Sequence, residues 1–93
     1  LVGVISPWNF PLLLAMIDTT PALLAGCAVM VKPSEVTPRF IEPLAEAVAE
    51  TPELAGVLAL TPGAAETGAA LIDQSDCVCF TGSVATGRKV AVQ

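Results

Sequence analysis

The chain has 93 residues, of which 54% are hydrophobic and only 14% are charged, and its formal net charge is −5 at pH 7. The charged share lies well below the ~25% of ordinary globular domains. The acidic balance argues against nucleic acid as a partner, and three cysteines without a signal-peptide pattern favour a reducing, cytoplasmic location.

The first third of the chain predicts a strand, a helix and a second strand. An apolar run at residues 1–6 predicts a buried strand, and the stretch PWNFP follows it. Residues 12–25 then predict a mostly buried helix that ends at Gly26. Pro21 either kinks this helix or opens a second segment capped by Thr20. A membrane span over residues 12–31 is the weaker alternative, because polar residues, a proline and a glycine interrupt it.

The middle of the chain predicts a strand at residues 28–31, followed by KPSE and an amphipathic helix. Thr37 and Pro38 match the N-cap and the first residue of that helix. Apolar side chains recur on one of its faces, and Glu42, Glu46 and Glu50 predict a solvated face on the other. We expect a bend where Pro43 interrupts the helix.

The last third predicts a strand at residues 57–60, a helix at 64–72, a strand at 77–80 and a helix that starts at Ser83. Strands and helices that alternate with short connections are typical of an α/β fold with a parallel sheet and helices on its faces. Ligands bind such a sheet beyond the carboxyl ends of its strands. Unusual residues follow three of the four predicted strands, so we expect PWNFP, KPSE and FTGS to meet there.

Two of these motifs suit a dinucleotide. Lys32 and Glu35 of KPSE suit ribose hydroxyls, with a surface ion pair as the alternative. Gly82 and Ser83 of FTGS open a helix and would present backbone amides to a pyrophosphate, with an ordinary helix cap as the alternative. Gly87 would lie one turn into that helix.

Asn9 and the cysteines each allow two interpretations. The Asn9 side chain could stabilise its own turn. The bulky residues around Asn9 favour a rigidly held amide donor that points into the crevice and stabilises an oxyanion.

Cys77 and Cys79 share one face of a strand, but the chain has no histidine to act as a base or ligand. Small buried hydrophobes are the favoured interpretation of Cys27, Cys77 and Cys79, and we predict no metal site.

Together, PWNFP, KPSE and FTGS resemble the NAD(P)-dependent aldehyde dehydrogenase superfamily in their order and spacing. The resemblance covers essentially the whole chain, including the PG at residues 62–63 and the TGR at 86–88, and the segment FTGSVATGRKVA is most similar to the succinate-semialdehyde branch. It implies a Rossmann-like cofactor domain, of which residues 1–93 would be a part without a complete second domain.

The resemblance also implies a role for each motif. Asn9 would donate its amide to the oxyanion of a thiohemiacetal. Lys32 and Glu35 would contact the adenosine ribose, and Gly82 and Ser83 the pyrophosphate. The remaining cofactor contacts implied by the motifs are Ile5, Ser6, Pro7, Trp8, Ser34 and, near the adenine, Gly63.

A carboxylate at Glu35 would repel a 2′-phosphate, so we predict NAD rather than NADP as the cofactor. The implied partners are a small aldehyde and further copies of the complete enzyme in a homo-oligomer. None of the three cysteines lies in the family's nucleophile motif, and the general-base glutamate of the family is also missing. We therefore expect a piece of a longer enzyme that is inactive alone.

Three alternatives stay open at this point. The chain could be an untranslated or unfolded remnant, whose exposed apolar surface would make it aggregate when expressed alone. The chain could be a short nucleotide-binding or interaction module without catalysis. The parent could instead belong to the superfamily branch that reduces acyl phosphates or transfers acyl groups to coenzyme A.

Overall fold

The computed structural model describes the whole chain, Leu1–Gln93, as four strands and five helices. The strands are β1 (Val2–Ile5), β2 (Val29–Lys32), β3 (Leu58–Leu60) and β4 (Cys77–Phe80). The helices are α1 (Pro11–Leu24), α2 (Ile41–Ala49), α3 (Pro52–Ala55), α4 (Ala65–Gln74) and α5 (Val84–Val92). Each predicted strand end lies within one residue of the observed one, whereas the sequence did not predict the short helix α3.

All four strands form one parallel sheet in the order β3-β2-β1-β4. Val4 in the central strand β1 lies opposite Val31 of β2 on one side and Cys79 of β4 on the other. The predicted α/β class is therefore confirmed. Because the chain builds outward from β1 to β3 and then returns to place β4 beside β1, the topological switch point falls between β1 and β4.

The two faces of the sheet pack against different helices. One face forms the core with α1 and α2, and six buried residues make up this cluster: Val4, Ala15, Val29, Val31, Val48 and Leu58. On the other face, Gly3 lets α4 lie close, since a Cβ there would come within 2.5 Å of Ser75 Oγ and 3.1 Å of Leu71 Cγ. Successive residues of a strand point to opposite faces, which separates these two sets.

Helix α1 continues unbroken through Pro21, so the alternative of a second capped segment is wrong. The expectation of a mostly buried helix is wrong, since Ala15 and Thr19 are its only buried residues. The helix ends as predicted, with Gly26 in a left-handed conformation at φ 86°. The Gly26 amide donates to the Leu23 carbonyl and the Cys27 amide to the Ala22 carbonyl, both at 3.0 Å. This pair of bonds is a Schellman motif. None of the five helices has the length and apolar content that crossing a membrane requires.

The predicted start of α2 is wrong. The helix begins at Ile41, and Thr37 does not cap it. The Thr37 hydroxyl instead donates a 2.7 Å hydrogen bond to the Trp8 carbonyl, a tertiary contact that the local pattern could not reveal. Pro43 is therefore the third residue of the helix, where an amide has no intrahelical acceptor, and the expected cause of a bend is absent. Glu42 and Glu46 of α2, and Glu50 directly after it, are exposed, as predicted.

Candidate functional site

A cleft of about 720 Å³ opens beyond the carboxyl ends of β1, β2 and β4, and α4 and α5 form its far wall. Its volume falls within the range of about 300–1,000 Å³ that is typical of small-molecule sites. All but one of the residues for which the sequence predicts a site role line it: Ile5, Ser6, Pro7, Trp8, Asn9, Lys32, Ser34, Glu35, Gly82 and Ser83. The structure thus brings the three motifs together at the switch point.

The exception is Gly63, which does not line the cleft, although its neighbour Ala64 does. The structure instead explains why this position holds a glycine. Its φ is 151°, and a Cβ there would lie 2.0 Å from Thr67 Oγ1. Any other residue at this position would be strained and would clash with the first turn of α4.

The turn between β1 and α1 presents Asn9 at the mouth of the cleft. Asn9 is exposed, and its side chain makes no hydrogen bond within the chain, so the bond that a turn-stabilising role requires is absent. The neighbouring Phe10 has a left-handed backbone at φ 46°, which costs on the order of 1–3 kcal/mol in a residue with a side chain. The Asn9 amide is therefore free to donate into the cleft, from a turn that is held in a strained conformation.

Lys32 and Glu35 form the β2 side of the cleft. Lys32 is the last residue of β2 and is only 5% exposed, and its ammonium donates to the Pro33 carbonyl at 2.9 Å and to Glu35 Oε2 at 3.5 Å. The pKa of the exposed Glu35 is lowered, first by a hydrogen bond from its own backbone amide and then by the Lys32 charge. The predicted ion pair therefore exists, but its lysine is buried against Gly68 of α4 rather than held in a surface loop.

Ser6 follows β1 directly and is 4% exposed. Its backbone amide donates to the Lys32 carbonyl at 3.2 Å, which extends the pairing of β1 and β2 by one residue. Its hydroxyl is the one buried side-chain oxygen or nitrogen of the chain that has no hydrogen-bond partner. Such a group carries a desolvation cost of about 1–3 kcal/mol.

The opposite side of the cleft is the N-terminus of α5, which Ser83 caps. Its hydroxyl accepts from the Thr86 amide at 3.2 Å and contacts Thr86 Oγ1 at 3.0 Å, so the predicted cap is confirmed. The first-turn amides of Val84 and Ala85 have no intrahelical acceptor and can donate to an anion. Gly82 has a further structural role, because a Cβ there would lie 2.6 Å from the Phe80 ring.

The sequence did not predict the part of the cleft wall that α5 contributes. Thr86 and Lys89 line the cleft from this helix, and Gln93 lines it from the position directly after the helix. The Gln93 amide also donates to the Ala69 carbonyl at 3.0 Å and to Asp73 Oδ1 at 3.1 Å, which ties α5 to α4. The sequence did carry a signal for Thr86, Lys89 and Gln93. They follow Ser83 at intervals of three or four residues, which places them on the same face of a helix as Ser83.

None of the three cysteines lines the cleft, and the expectation that all three are buried is wrong, because Cys77 is exposed and the other two are half-buried. Cys27 precedes β2 and Cys77 begins β4, so both lie toward the amino ends of the strands, away from the site. Burial, followed by the charges of Asp18 and Cys77, raises the pKa of the Cys79 thiol. A thiol that stays protonated is a poor nucleophile, so Cys79 does not resemble a catalytic cysteine.

Comparison with known proteins identifies the family. The model of the aldehyde dehydrogenase family matches residues 1–93. The chain belongs to the aldehyde dehydrogenase family. The family uses NAD(P), and the residues of the cleft fit such a cofactor: a buried lysine and a carboxylate lie on one side, and the free amides of a helix N-terminus lie on the other.

Three aldehyde dehydrogenases show how similar this chain is to members of the family in sequence and structure. A provisionally named succinate-semialdehyde dehydrogenase, NADP(+), of Mycolicibacterium smegmatis is 46% identical over 99% of this chain and 18% of its own length. Geranial dehydrogenase of Castellaniella defragrans is 47% identical over 97% of this chain and 19% of its own. The solved structure of a provisionally named aldehyde dehydrogenase, PutA, from Anabaena variabilis is 68% identical, with a TM-score of 0.95 over 98% of this chain and 19% of that one. The chain thus spans about a fifth of these aldehyde dehydrogenases.

Proposed function

We propose that residues 1–93 form part of the dinucleotide-binding domain of an NAD-dependent aldehyde dehydrogenase that oxidises an aldehyde to a carboxylic acid. The observation that carries this proposal is the convergence of three loops, PWNFP, KPSE and FTGS, on one cleft at the switch point of the sheet. Membership of the family supports the reaction class. The names of two relatives, a succinate-semialdehyde dehydrogenase and a geranial dehydrogenase, support an aldehyde as the substrate and differ on which aldehyde it is.

The bound dinucleotide would supply the hydride acceptor, and the residues of the chain would hold it and stabilise the substrate. Glu35 accepts hydrogen bonds from ribose hydroxyls, and the Lys32 ammonium beside it donates to them. The free amides at the N-terminus of α5 donate to the pyrophosphate. The Asn9 amide donates to the oxyanion that forms when a cysteine attacks the aldehyde, a contribution worth on the order of 10²–10³ in rate.

The nucleophilic cysteine and the general-base glutamate would lie in parts of the parent enzyme outside residues 1–93. The position of Cys27, Cys77 and Cys79 away from the cleft supports this assignment. The 93-residue chain alone is therefore proposed to bind cofactor without oxidising aldehydes. The unpaired state of the three cysteines supports a cytoplasmic, reducing location, and assembly of the parent as a homo-oligomer rests on the family resemblance alone.

The preference for NAD rests on Glu35. Its carboxylate is paired with Lys32, so a 2′-phosphate would meet a negative charge while the nearest ammonium is already engaged. The relative from Mycolicibacterium smegmatis carries NADP(+) in its name, and the two cofactors are accordingly the alternatives to compare.

Steady-state kinetics of the parent enzyme with both cofactors test this proposal. We expect kcat/KM to favour NAD in the unaltered enzyme. Glu35→Gln should raise kcat/KM with NADP about tenfold, equivalent to about 1.4 kcal/mol, because Lys32 is then free to meet the 2′-phosphate. Glu46→Gln, on the exposed face of α2, is the matched control and should change neither value. An unaltered enzyme that favours NADP would contradict the NAD preference, and one without aldehyde oxidation would contradict the function itself.

A further inference from the structure

We propose that Thr37 is a positioning residue for the oxyanion donor Asn9, and that it acts through the hydrogen bond from its hydroxyl to the Trp8 carbonyl. The inference rests on the proposed function, because Asn9 has a catalytic role only in an aldehyde dehydrogenase. Thr37 does not itself line the cleft, whereas Trp8 and Asn9 do. Any effect of Thr37 on the reaction is therefore indirect.

The turn that carries Asn9 has few other restraints. Between β1 and α1, the bond from Thr37 at 2.7 Å is the one hydrogen bond that reaches residues 7–9. The next bond along the chain belongs to the first turn of α1, where the Leu14 amide donates to the Phe10 carbonyl at 3.0 Å. The aromatic side chains of the turn do not anchor it, since Trp8 is 59% and Phe10 73% exposed.

The Thr37 hydroxyl bonds the Trp8 carbonyl, and this acceptor links the bond to the orientation of Asn9. The Trp8 carbonyl belongs to the peptide group that joins Trp8 to Asn9, so fixing its direction fixes the plane from which the Asn9 side chain departs. Phe10, directly after Asn9, is held at a left-handed φ of 46°, a conformation that persists only where the surroundings enforce it. Loss of the Thr37 bond would allow this turn to relax and would displace the Asn9 amide.

The bond also links two parts of the site. Thr37 lies two residues after Glu35, in the loop that follows β2, and 29 positions along the chain from Trp8. The loop that holds the ribose-contacting pair is therefore tied directly to the turn that holds the oxyanion donor. A small misplacement of such a donor is costly, since its effect depends on its distance and direction from the developing charge.

The test uses the parent enzyme with Thr37→Val, which keeps the branched shape and removes the donor. We expect kcat to fall about tenfold while the KM for the dinucleotide stays within twofold, and Thr37→Ser to restore most of kcat. Asn9→Ala should lower kcat more, and the Asn9→Ala, Thr37→Val double variant should be no slower than Asn9→Ala alone, because Thr37 acts through Asn9. Thr51→Val is the matched control, since the Thr51 hydroxyl donates to the Ala47 carbonyl at 2.8 Å away from the cleft.

Each result decides the inference. An unchanged kcat in Thr37→Val, a rise in KM for the dinucleotide alone, or additive losses in the double variant would overturn it. Thr37→Ala replaces the valine variant if circular dichroism shows that the latter does not fold, and the same thresholds apply. A parent enzyme with no aldehyde oxidation overturns the proposed function together with this inference, whereas an active parent with an unaffected Thr37→Val variant overturns this inference alone.

Discussion

At the scale of single residues, two serine hydroxyls differ in their hydrogen bonding. Ser75 Oγ donates to the Leu71 carbonyl at 2.7 Å, the ordinary arrangement for a hydroxyl near the C-terminus of a helix. The hydroxyl of Ser6 is buried beside the cleft and has no partner. An unpaired buried hydroxyl destabilises the folded state because it loses water and gains nothing in exchange.

These two serines should therefore respond to alanine with opposite signs. Ser6→Ala is expected to raise the free energy of unfolding of the chain by about 1 kcal/mol, because it removes an unpaired polar group. Ser75→Ala, the control, should lower it by about 1 kcal/mol through loss of a made hydrogen bond. Urea denaturation followed by circular dichroism measures both. A loss of stability in Ser6→Ala would show that its hydroxyl has a partner in solution.

At the scale of elements, two helices are followed by a glycine, but only one of these glycines has a left-handed backbone conformation. Gly26 follows α1 with φ 86°, whereas Gly56 caps α3 with φ −98°. A Cβ at either position would meet no atom within 4 Å, so packing does not distinguish the two. Any difference between them on substitution must come from backbone conformation.

Alanine at these two glycines isolates that backbone effect. Gly26→Ala should lower the free energy of unfolding by about 1–2 kcal/mol, since the left-handed conformation is unfavourable for a residue with a Cβ. Gly56→Ala should raise it by about 0.4–1 kcal/mol, because it restricts the unfolded chain at no cost to the folded one. Thermal and urea unfolding of the two variants provide the comparison, and equal effects would contradict the backbone explanation.

At the scale of the whole molecule, α1 is apolar on more than one side. Ala15 and Thr19 face the core, while Leu13, Ile17 and Leu24, at helical spacing on the opposite face, are 61%, 56% and 84% exposed. A helix that is hydrophobic all round is typical of a buried position in a larger protein. This outer stripe of α1 should make the 93-residue chain self-associate.

Light scattering across a concentration series should detect that self-association. Exchanging Leu13 and Leu24 together for glutamate should restore a monomer, because it charges the exposed stripe. Exchanging Val84 and Val92 of α5, which are 73% and 87% exposed, adds the same two negative charges away from the stripe and is the control. Equal dissociation by both pairs would show that net charge, rather than the α1 stripe, governs association.

The sequence by itself determined the class of fold and the three loops that meet at the site. Periodicity and glycine or proline boundaries located all four strands, because short β-rich runs between turn residues are a local signal. The motifs that follow these strands indicated five cleft-lining residues, since the carboxyl ends of parallel strands meet at one edge. The family resemblance implied five more. The stop of α1 at Gly26 was equally local.

Only the tertiary structure decided what depends on contacts between distant residues. Thr37 matched a helix cap locally, yet its hydroxyl bonds Trp8, 29 positions away, and α2 starts four residues later. The burial of Lys32 against α4 and the missing partner of the Ser6 hydroxyl likewise depend on neighbours that no local pattern identifies. A hydrogen bond or a burial across the fold is set by where whole elements pack, and that information lies in no single stretch of the chain.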